Sequence, residues 1–333
     1  MGHRKYSAPR RGSIAFRPRA RAKSLEARIR TWPNPVEEKQ ITFLGFAGFK
    51  AGGISVLTID DRDKTPNFGK HLLNSSTVIV TPPMKIVGIR GYHEDIYGKH
   101  AIFDIQSKDL PKELSRKFSS NDKNDAIKKA ESVLAKTSFI VAVVAILPND
   151  ANLSQKKPFV FEIPVSAKDN TTSYNYLKDH LGKEVRIGEV FAQGQYIDVS
   201  GITRGKGVEG PITRFGVKRK QHKSRKSVRA VGTLGPISPA VVMYTVPRQG
   251  QRGFHQRTEY NKRILLMASS GKDTQDTINP SGGFKHFGVV RGDYIIVRGS
   301  IPGVPKRLVK MRQAIRSNQR KVIEPKVVEV LVQ

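Results

Sequence analysis

The residues best placed to do chemistry are cationic, and their chemistry is phosphate neutralisation rather than bond breaking. The stretch 201–258 holds thirteen Lys and Arg against one acid, Glu209, for a net charge of +12. Between Arg214 and Arg229 stand eight basic residues and no acidic one, and only Phe215, Val217 and Val228 are clearly apolar. That is too little apolar surface to build a core. Each Lys or Arg that meets a phosphate releases condensed counterion, so about a dozen such contacts would dominate binding to a polyanion. Taken as a hairpin with arms of about 29 residues, the stretch could reach about 95 Å at roughly 3.3 Å per residue. It reads as a basic finger that orders when polyanion surrounds it.

Other constellations are weaker. Asp60, Asp61 and Asp63 in TIDDRDK could hold a divalent cation, but no bidentate Glu follows at EF-hand spacing, and a polar turn is expected. His71, His93, His100, His180, His222, His255 and His286 never pair at zinc spacing, so no metal site is expected. Ser269–Ser270 and Ser281–Gly283 lack a nucleophile elbow. The glycine-rich pieces Gly205–Gly210, Pro280–Gly288 and Gly299–Arg307 match no nucleotide-binding fingerprint. Their glycines would instead let backbone amides approach phosphate, beside Lys206, Lys285, Lys306 and Arg307. With no cysteine in the chain, disulfides, thiolate catalysis and Cys-ligated metals are excluded. No enzyme, cofactor or small-molecule substrate is expected.

The 333 residues carry 59 Lys and Arg against 28 Asp and Glu, a net charge of +31. Residues 1–30 contribute +9, the finger +12 and the segment 306–321 +7, which together make +28. The remainder is nearly neutral. An anionic partner is the default inference from such an excess. The N-terminus has no apolar h-region and so does not read as a secretory signal, and no run approaches the roughly 18 apolar residues of a membrane span, so no membrane partner is expected.

Around these segments the pattern is that of a β protein. Short runs lie between Gly and Pro punctuation: Ile41–Phe46, Ile54–Asp60, Thr77–Thr81, Met84–Tyr92, Ala101–Ile105, Phe139–Leu147 and Pro158–Ile163. Glu184–Phe191, Gln195–Ser200, Arg263–Ala268, Tyr294–Gly299 and Val327–Val332 complete the set. Two helices are expected, Asp122–Lys136 with an apolar face of Ala126, Ile127, Ala130, Val133 and Leu134, and Thr172–Leu181 stopped by Gly182. The organisation is therefore a basic arm at 1–40 and a first body segment at 41–200 with an α/β insert at about 94–183. The finger at 201–258 follows, and 259–333 completes the body. Many short strands favour a barrel or sandwich. No helix-turn-helix, zinc finger, basic zipper or RNP signature is present, which favours RNA of irregular shape over duplex DNA.

These residues also carry a resemblance. Gly2–Ala22 (GHRKYSAPRRGS with FRPRARA), Phe43–Gly53 (FLGFAGFKAGG) and Thr81–Tyr92 (TPPMKIVGIRGY) are similar to the large-subunit ribosomal protein L-three family, in its archaeal–eukaryotic branch. Gly201–Arg219 (GITRGKGVEGPITRFGVKR), Val246–Leu265 and Gly288–Arg312 extend the resemblance over nearly the full length. It implies a closed, translation-protein-type β-barrel with an α/β insert and long basic extensions. It implies a non-enzymatic rRNA-binding constituent of the large subunit in the cytoplasm, acting early in assembly. Large-subunit rRNA and neighbouring ribosomal proteins would be its partners, with the finger reaching toward the peptidyl transferase centre. Relatives commonly carry Trp at the finger tip. Here Leu234–Pro239 (LGPISP) has Ile237, so an apolar wedge is the most expected there.

The candidate RNA contacts follow. In the arm they are Arg4, Lys5, Arg10, Arg11, Arg17, Arg19 and Arg21. In the finger they are Arg204, Lys206, Arg214, Lys218, Arg219, Lys220, Lys223, Arg225, Lys226 and Arg229, with Ile237 at the tip. Arg248, Arg252, His255 and Arg257 line the return arm, and Lys285, Lys306 and Arg307 lie in the body's loops. An RNA-modifying or RNA-processing enzyme with a basic guide arm is the alternative, and it would need a catalytic pair that these residues do not supply.

Overall fold

The computed structural model describes residues 10–33, 41–108, 110, 112–118, 124–224, 227–268, 278–316 and 322–332. Two compact units emerge: Met1–Leu25 with Ile202–Arg257, and Glu26–Gly201 with Thr258–Gln333. In chain order the strands are β1 (Gly45–Ile59), β2 (His71–Val80), β3 (Met84–Asp95), β4 (Gly98–Gln106), β5 (Phe139–Ile146), β6 (Phe159–Pro164) and β7 (Glu184–Val185). They continue as β8 (Tyr196–Ile202), β9 (Val208–Glu209), β10 (Gly250–Gln251), β11 (Gln256–Ala268), β12 (Tyr294–Arg298), β13 (Leu308–Gln313) and β14 (Val327–Leu331). The α-helices are α1 (Asn124–Val133), α2 (Asn170–His180) and α3 (Pro211–Phe215).

The larger unit is mainly β. Its first sheet runs β13-β8-β11-β12-β2-β1-β14, and β13 also pairs with β1, so six strands form a ring. The length of β1 makes this possible. Its first half, Gly45–Phe49, pairs antiparallel with β13, and Ser55–Thr58 pairs with β14 on the same edge. Sequence reading splits this strand at its glycines into Ile41–Phe46 and Ile54–Asp60. The structure carries it straight through with a bulge between Lys50 and Gly52. Glycine is needed here for room. A Cβ at Gly52 would lie 2.4 Å from the Phe284 ring, and one at Gly48 would lie 2.5 Å from the Val80 carbonyl oxygen. Gly48→Ala should therefore destabilise the unit by about 1–3 kcal/mol through overpacking against backbone. A thermal midpoint unchanged from wild type would refute that reading.

The second sheet, β4-β3-β5-β6 with β7 on the start of β3, begins at Met84, ahead of the insert's expected start. Strand β5 (FIVAVVAI) is buried along nearly its whole length, as a continuous apolar run between turn signals should be. Helix α1 packs on β4, with Ala126, Ile127 and Ala130 turned to the core, and α2 packs on β3 and β5 through Tyr174 and Leu177. The expected start of this helix, Asp122, lies outside the described residues. Gly182, at φ 83°, follows the end of α2 as expected. The expected strand Glu184–Phe191 is shorter: after two residues it turns into a 3-10 helix at Ile187–Glu189, where the Glu189 carboxylate accepts from the Arg186 amide. One apolar cluster unites the two sheets, from Phe46 and Phe49 through Ile79 and Met84 to Ile163 and Leu177.

The segment 306–321 differs most from expectation. Counted in the sequence among the basic segments that call for an anionic partner, it has its Leu308–Gln313 portion as strand β13, buried in the ring. The Lys310 ammonium is 3.6 Å from Glu26 and 4.3 Å over the Phe161 ring. Arg312 donates through Nε and Nη2 to Asp198 at 3.2 and 3.1 Å, and through Nη1 to the Thr31 carbonyl. Burial pushes the Lys310 ammonium down from its usual range, with Glu26 opposing the shift. These two cations hold the body together. They also bind residues 26–33, the second half of the expected arm, onto it. Ala27 is buried and the Trp32 ring lies against Gly45, where a Cβ would approach it to 2.7 Å. Residues 317–321 lie outside the described residues.

Candidate nucleic-acid interface

The smaller unit joins the first part of the arm to the finger. Its root is built from backbone pairings and two side-chain clamps. Strands β9 and β10 pair Val208–Glu209 with Gly250–Gln251, and the Lys206 amide donates to Arg252 O at 3.0 Å while the Arg252 amide donates to Gly207 O at 2.8 Å. The Arg252 guanidinium meets Glu209 at 2.6 Å. Pro211 opens α3 at its first turn, and Gly216, at φ 67°, closes it in the left-handed conformation. Arg214 then reaches back to donate to Gln251 O at 3.0 Å and Arg248 O at 3.2 Å. Gly253, at φ 72°, brings the return chain so close to Arg204 that a Cβ would sit 2.0 Å from its carbonyl oxygen. Only glycine fits there.

The arm is fastened to this root. His255 is 9% exposed; its Nδ1 donates to Ala20 O at 2.9 Å, and its amide donates to Thr203 Oγ1 at 3.1 Å. The Ala22 amide donates to Phe254 O at 2.8 Å, and the Arg10 guanidinium donates to Thr245 O at 2.6 Å. His255, expected as an RNA contact, holds the arm through its Nδ1. The Phe215 ring is buried beneath three guanidinium groups, those of Arg19 at 4.2 Å, Arg17 at 5.0 Å and Arg214 at 5.1 Å from its centroid. Arg19 also donates to Arg214 O at 2.8 Å. Burial first, and then the neighbouring arginines, push both Arg19 and Arg214 below the usual guanidinium range. Sequence reasoning missed this cluster, because 195 residues separate Arg19 from Arg214.

Beyond the root the chain is irregular and open. Arg204, Lys206, Lys218, Arg219, Lys220, Lys223, Arg229 and Arg248 are exposed, as are Arg10, Arg11 and Arg21 in the arm. Arg17, Arg19, Arg214, Arg252 and Arg257 are half-buried, and Arg257 lies 4.7 Å over the Phe16 ring. Ile237 is 97% exposed, and Val241 and Tyr244 beyond it are exposed as well. Arg4, Lys5, Arg225 and Lys226 lie outside the described residues. In the larger unit Lys285 and Lys306 are exposed and Arg307 is half-buried.

Two of the aspartates of TIDDRDK, Asp60 and Asp61, are occupied by arginines. Arg62 donates to Asp60 through Nε at 2.8 Å and Nη2 at 2.7 Å, with Thr65 Oγ1 at 3.1 Å, and Arg263 forms a fork on Asp61. Hydrogen bonds from Arg62 and Arg263 hold both carboxyls below the usual carboxylate range. Their contribution to stability is present above a pH of about 4 and is lost as pH falls below it. Asp61→Asn should therefore flatten the acid limb of the stability–pH curve between about pH 5 and 2, relative to wild type. Parallel acid limbs in chemical denaturation would contradict this. Among the described residues no group of three or more His, Asp or Glu could hold a metal ion, and no helix is long and apolar enough to cross a membrane.

A β body whose buried cations have matched acids, carrying an acid-poor cationic unit with a rigid root and open tip, defines the class of polyanion-binding structural proteins. The comparisons make the class specific: the chain belongs to the ribosomal protein L3 family, whose model matches residues 1–333. It is 43% identical over 325 residues to the large ribosomal subunit protein uL3 of Caldivirga maquilingensis, covering 94% of this chain and 91% of that one. The uL3 of Archaeoglobus fulgidus is 42% identical over 316 residues, covering 94% and 93%. That of Methanococcoides burtonii is 39% identical over 340 residues, covering 100% and 98%. The family is one of ribosomal structural proteins, not enzymes.

Proposed function

We propose that this chain is a structural constituent of the large ribosomal subunit in which the finger unit fastens large-subunit rRNA. The observation that carries the proposal is the separation of charge by structure. The larger unit spends Lys310, Arg312, Arg263 and Arg90 on its own carboxylates. The unit of Met1–Leu25 and Ile202–Arg257 contains a single acid, Glu209, and exposes most of its cations. Phosphate supplies the missing counter-charge, and counterion release supplies the free energy. The ring of six strands is read as a closed barrel of the translation-protein type, a rigid support from whose strands β8 and β11 the finger departs and returns.

The finger's direction toward the peptidyl transferase centre and an early role in assembly belong to the same reading. Any influence on peptide transfer acts through the position of rRNA. The full chain should remain with large subunits through a high-salt wash, followed by sedimentation and detection of the chain. Its complete release into the supernatant, with the core ribosomal proteins retained, would overturn the proposal.

A further inference from the structure

One feature of the finger unit is more specific than a cationic surface. Arg17, Pro18, Arg19, Arg214, Phe215 and Tyr244 line a cavity of about 430 Å³, within the range of about 300–1,000 Å³ typical of small-ligand sites. Its three guanidinium groups crowd one another around Phe215, and Arg17 also lies 6.0 Å over the Tyr244 ring. The hydrogen bonds of Arg19 and Arg214 go to carbonyl oxygens of the unit's own backbone, not to carboxylates. The unit's one acid, Glu209, is taken by Arg252. Arg19 Nε is buried with no hydrogen-bond partner among the described residues. Like charges so gathered, with a buried donor left over, favour an anion that joins them. Phe215 is covered, while Tyr244 is 67% exposed and offers a ring face at the cavity's edge.

Resting on the proposed rRNA-binding function, we infer that this cavity captures one unstacked nucleotide, its phosphate on the guanidiniums of Arg17, Arg19 and Arg214 and its base against Tyr244. Phosphate alone would account for the arginines but leave the aromatic edge without purpose. A base on an aromatic face adds sequence-tolerant affinity, and an arginine beside it adds to the stack. The arm and finger would thereby close on RNA as a clamp, rather than attract it only through diffuse charge.

The test uses the full chain and two probes, a single-stranded RNA of about eight nucleotides and an abasic ribose-phosphate oligomer of the same length, within the site sizes of single-strand binders. Wild type should bind the RNA about tenfold more tightly than the abasic oligomer, the usual worth of one stacked base. Tyr244→Leu, at an exposed position the fold does not need, should bring that ratio close to one without changing the abasic affinity. Arg19→Lys, which keeps the charge but loses the buried Nε and the planar fork, should weaken both probes several-fold. Tight binding of wild type to large-subunit rRNA with a ratio unaffected by Tyr244→Leu would overturn this inference alone. Failure to bind large-subunit rRNA would overturn the proposed function and the inference together.

Discussion

Replacing Asp198 by Ala is expected to cost the larger unit about 3–5 kcal/mol, the usual loss when one partner of a buried ion pair is removed. Asp198 is fully buried and collects four donors: Arg312 Nε and Nη2, the Asn261 amide at 3.0 Å and the Ile315 amide at 3.4 Å. Its removal leaves the Arg312 charge inside the ring with the Thr31 carbonyl and, 5.8 Å away, the Tyr260 ring, but no acid from this pair. The cost should come from that stranded charge, so adding Arg312→Leu to Asp198→Ala should recover a substantial part of it. Denaturant midpoints of the two single variants and the double variant measure the coupling. A loss below about 1 kcal/mol for Asp198→Ala, or no recovery in the double variant, would show that the pair is not the desolvated clamp described here.

The same pair shows where sequence reading reaches its limit. In KRLVKMRQ, Val309 and Met311 alternate with Lys310 and Arg312, which is strand periodicity. Charge count alone makes the segment look like an appendage. The acids that neutralise its cations are Asp198, 114 residues away, and Glu26 in the arm. Pairings at such separation leave no local mark. The glycines of β1 misled for a related reason: Gly48 and Gly52 mark close approach by Val80 and Phe284, not a turn, and only the folded neighbours reveal which. By contrast, strand β5, helices α1 and α2, and the cation-rich finger were legible, because periodicity and local composition alone determine them. The exposed cations at Lys218–Lys223 could be named from sequence. The ring of guanidiniums on Phe215 and the conversion of His255 into a clamp could not, since both depend on the arm folding onto the finger's root.

The finger prediction has the largest expected effect on binding. Lys218, Arg219, Lys220 and Lys223 are exposed on a segment without an acid, and α3 with its glycine stop projects them from a fixed root. If each meets one phosphate, neutralising all four should make the dependence of log K on log salt shallower by about 3, at roughly 0.7–0.9 per contact. Two lysines of the larger unit provide the contrast. Lys85 and Lys178 are paired with Glu184 at 2.8 Å and Glu131 at 3.2 Å, so Lys85→Gln with Lys178→Gln should leave the slope unchanged. The decisive measurement is therefore the salt dependence of binding to large-subunit rRNA, for wild type and for the variant with Gln at 218, 219, 220 and 223. A slope shallower by about 3 in that variant alone is the predicted result. Equal slopes, or an equal loss from the paired lysines of the body, would contradict the assignment of RNA fastening to the finger.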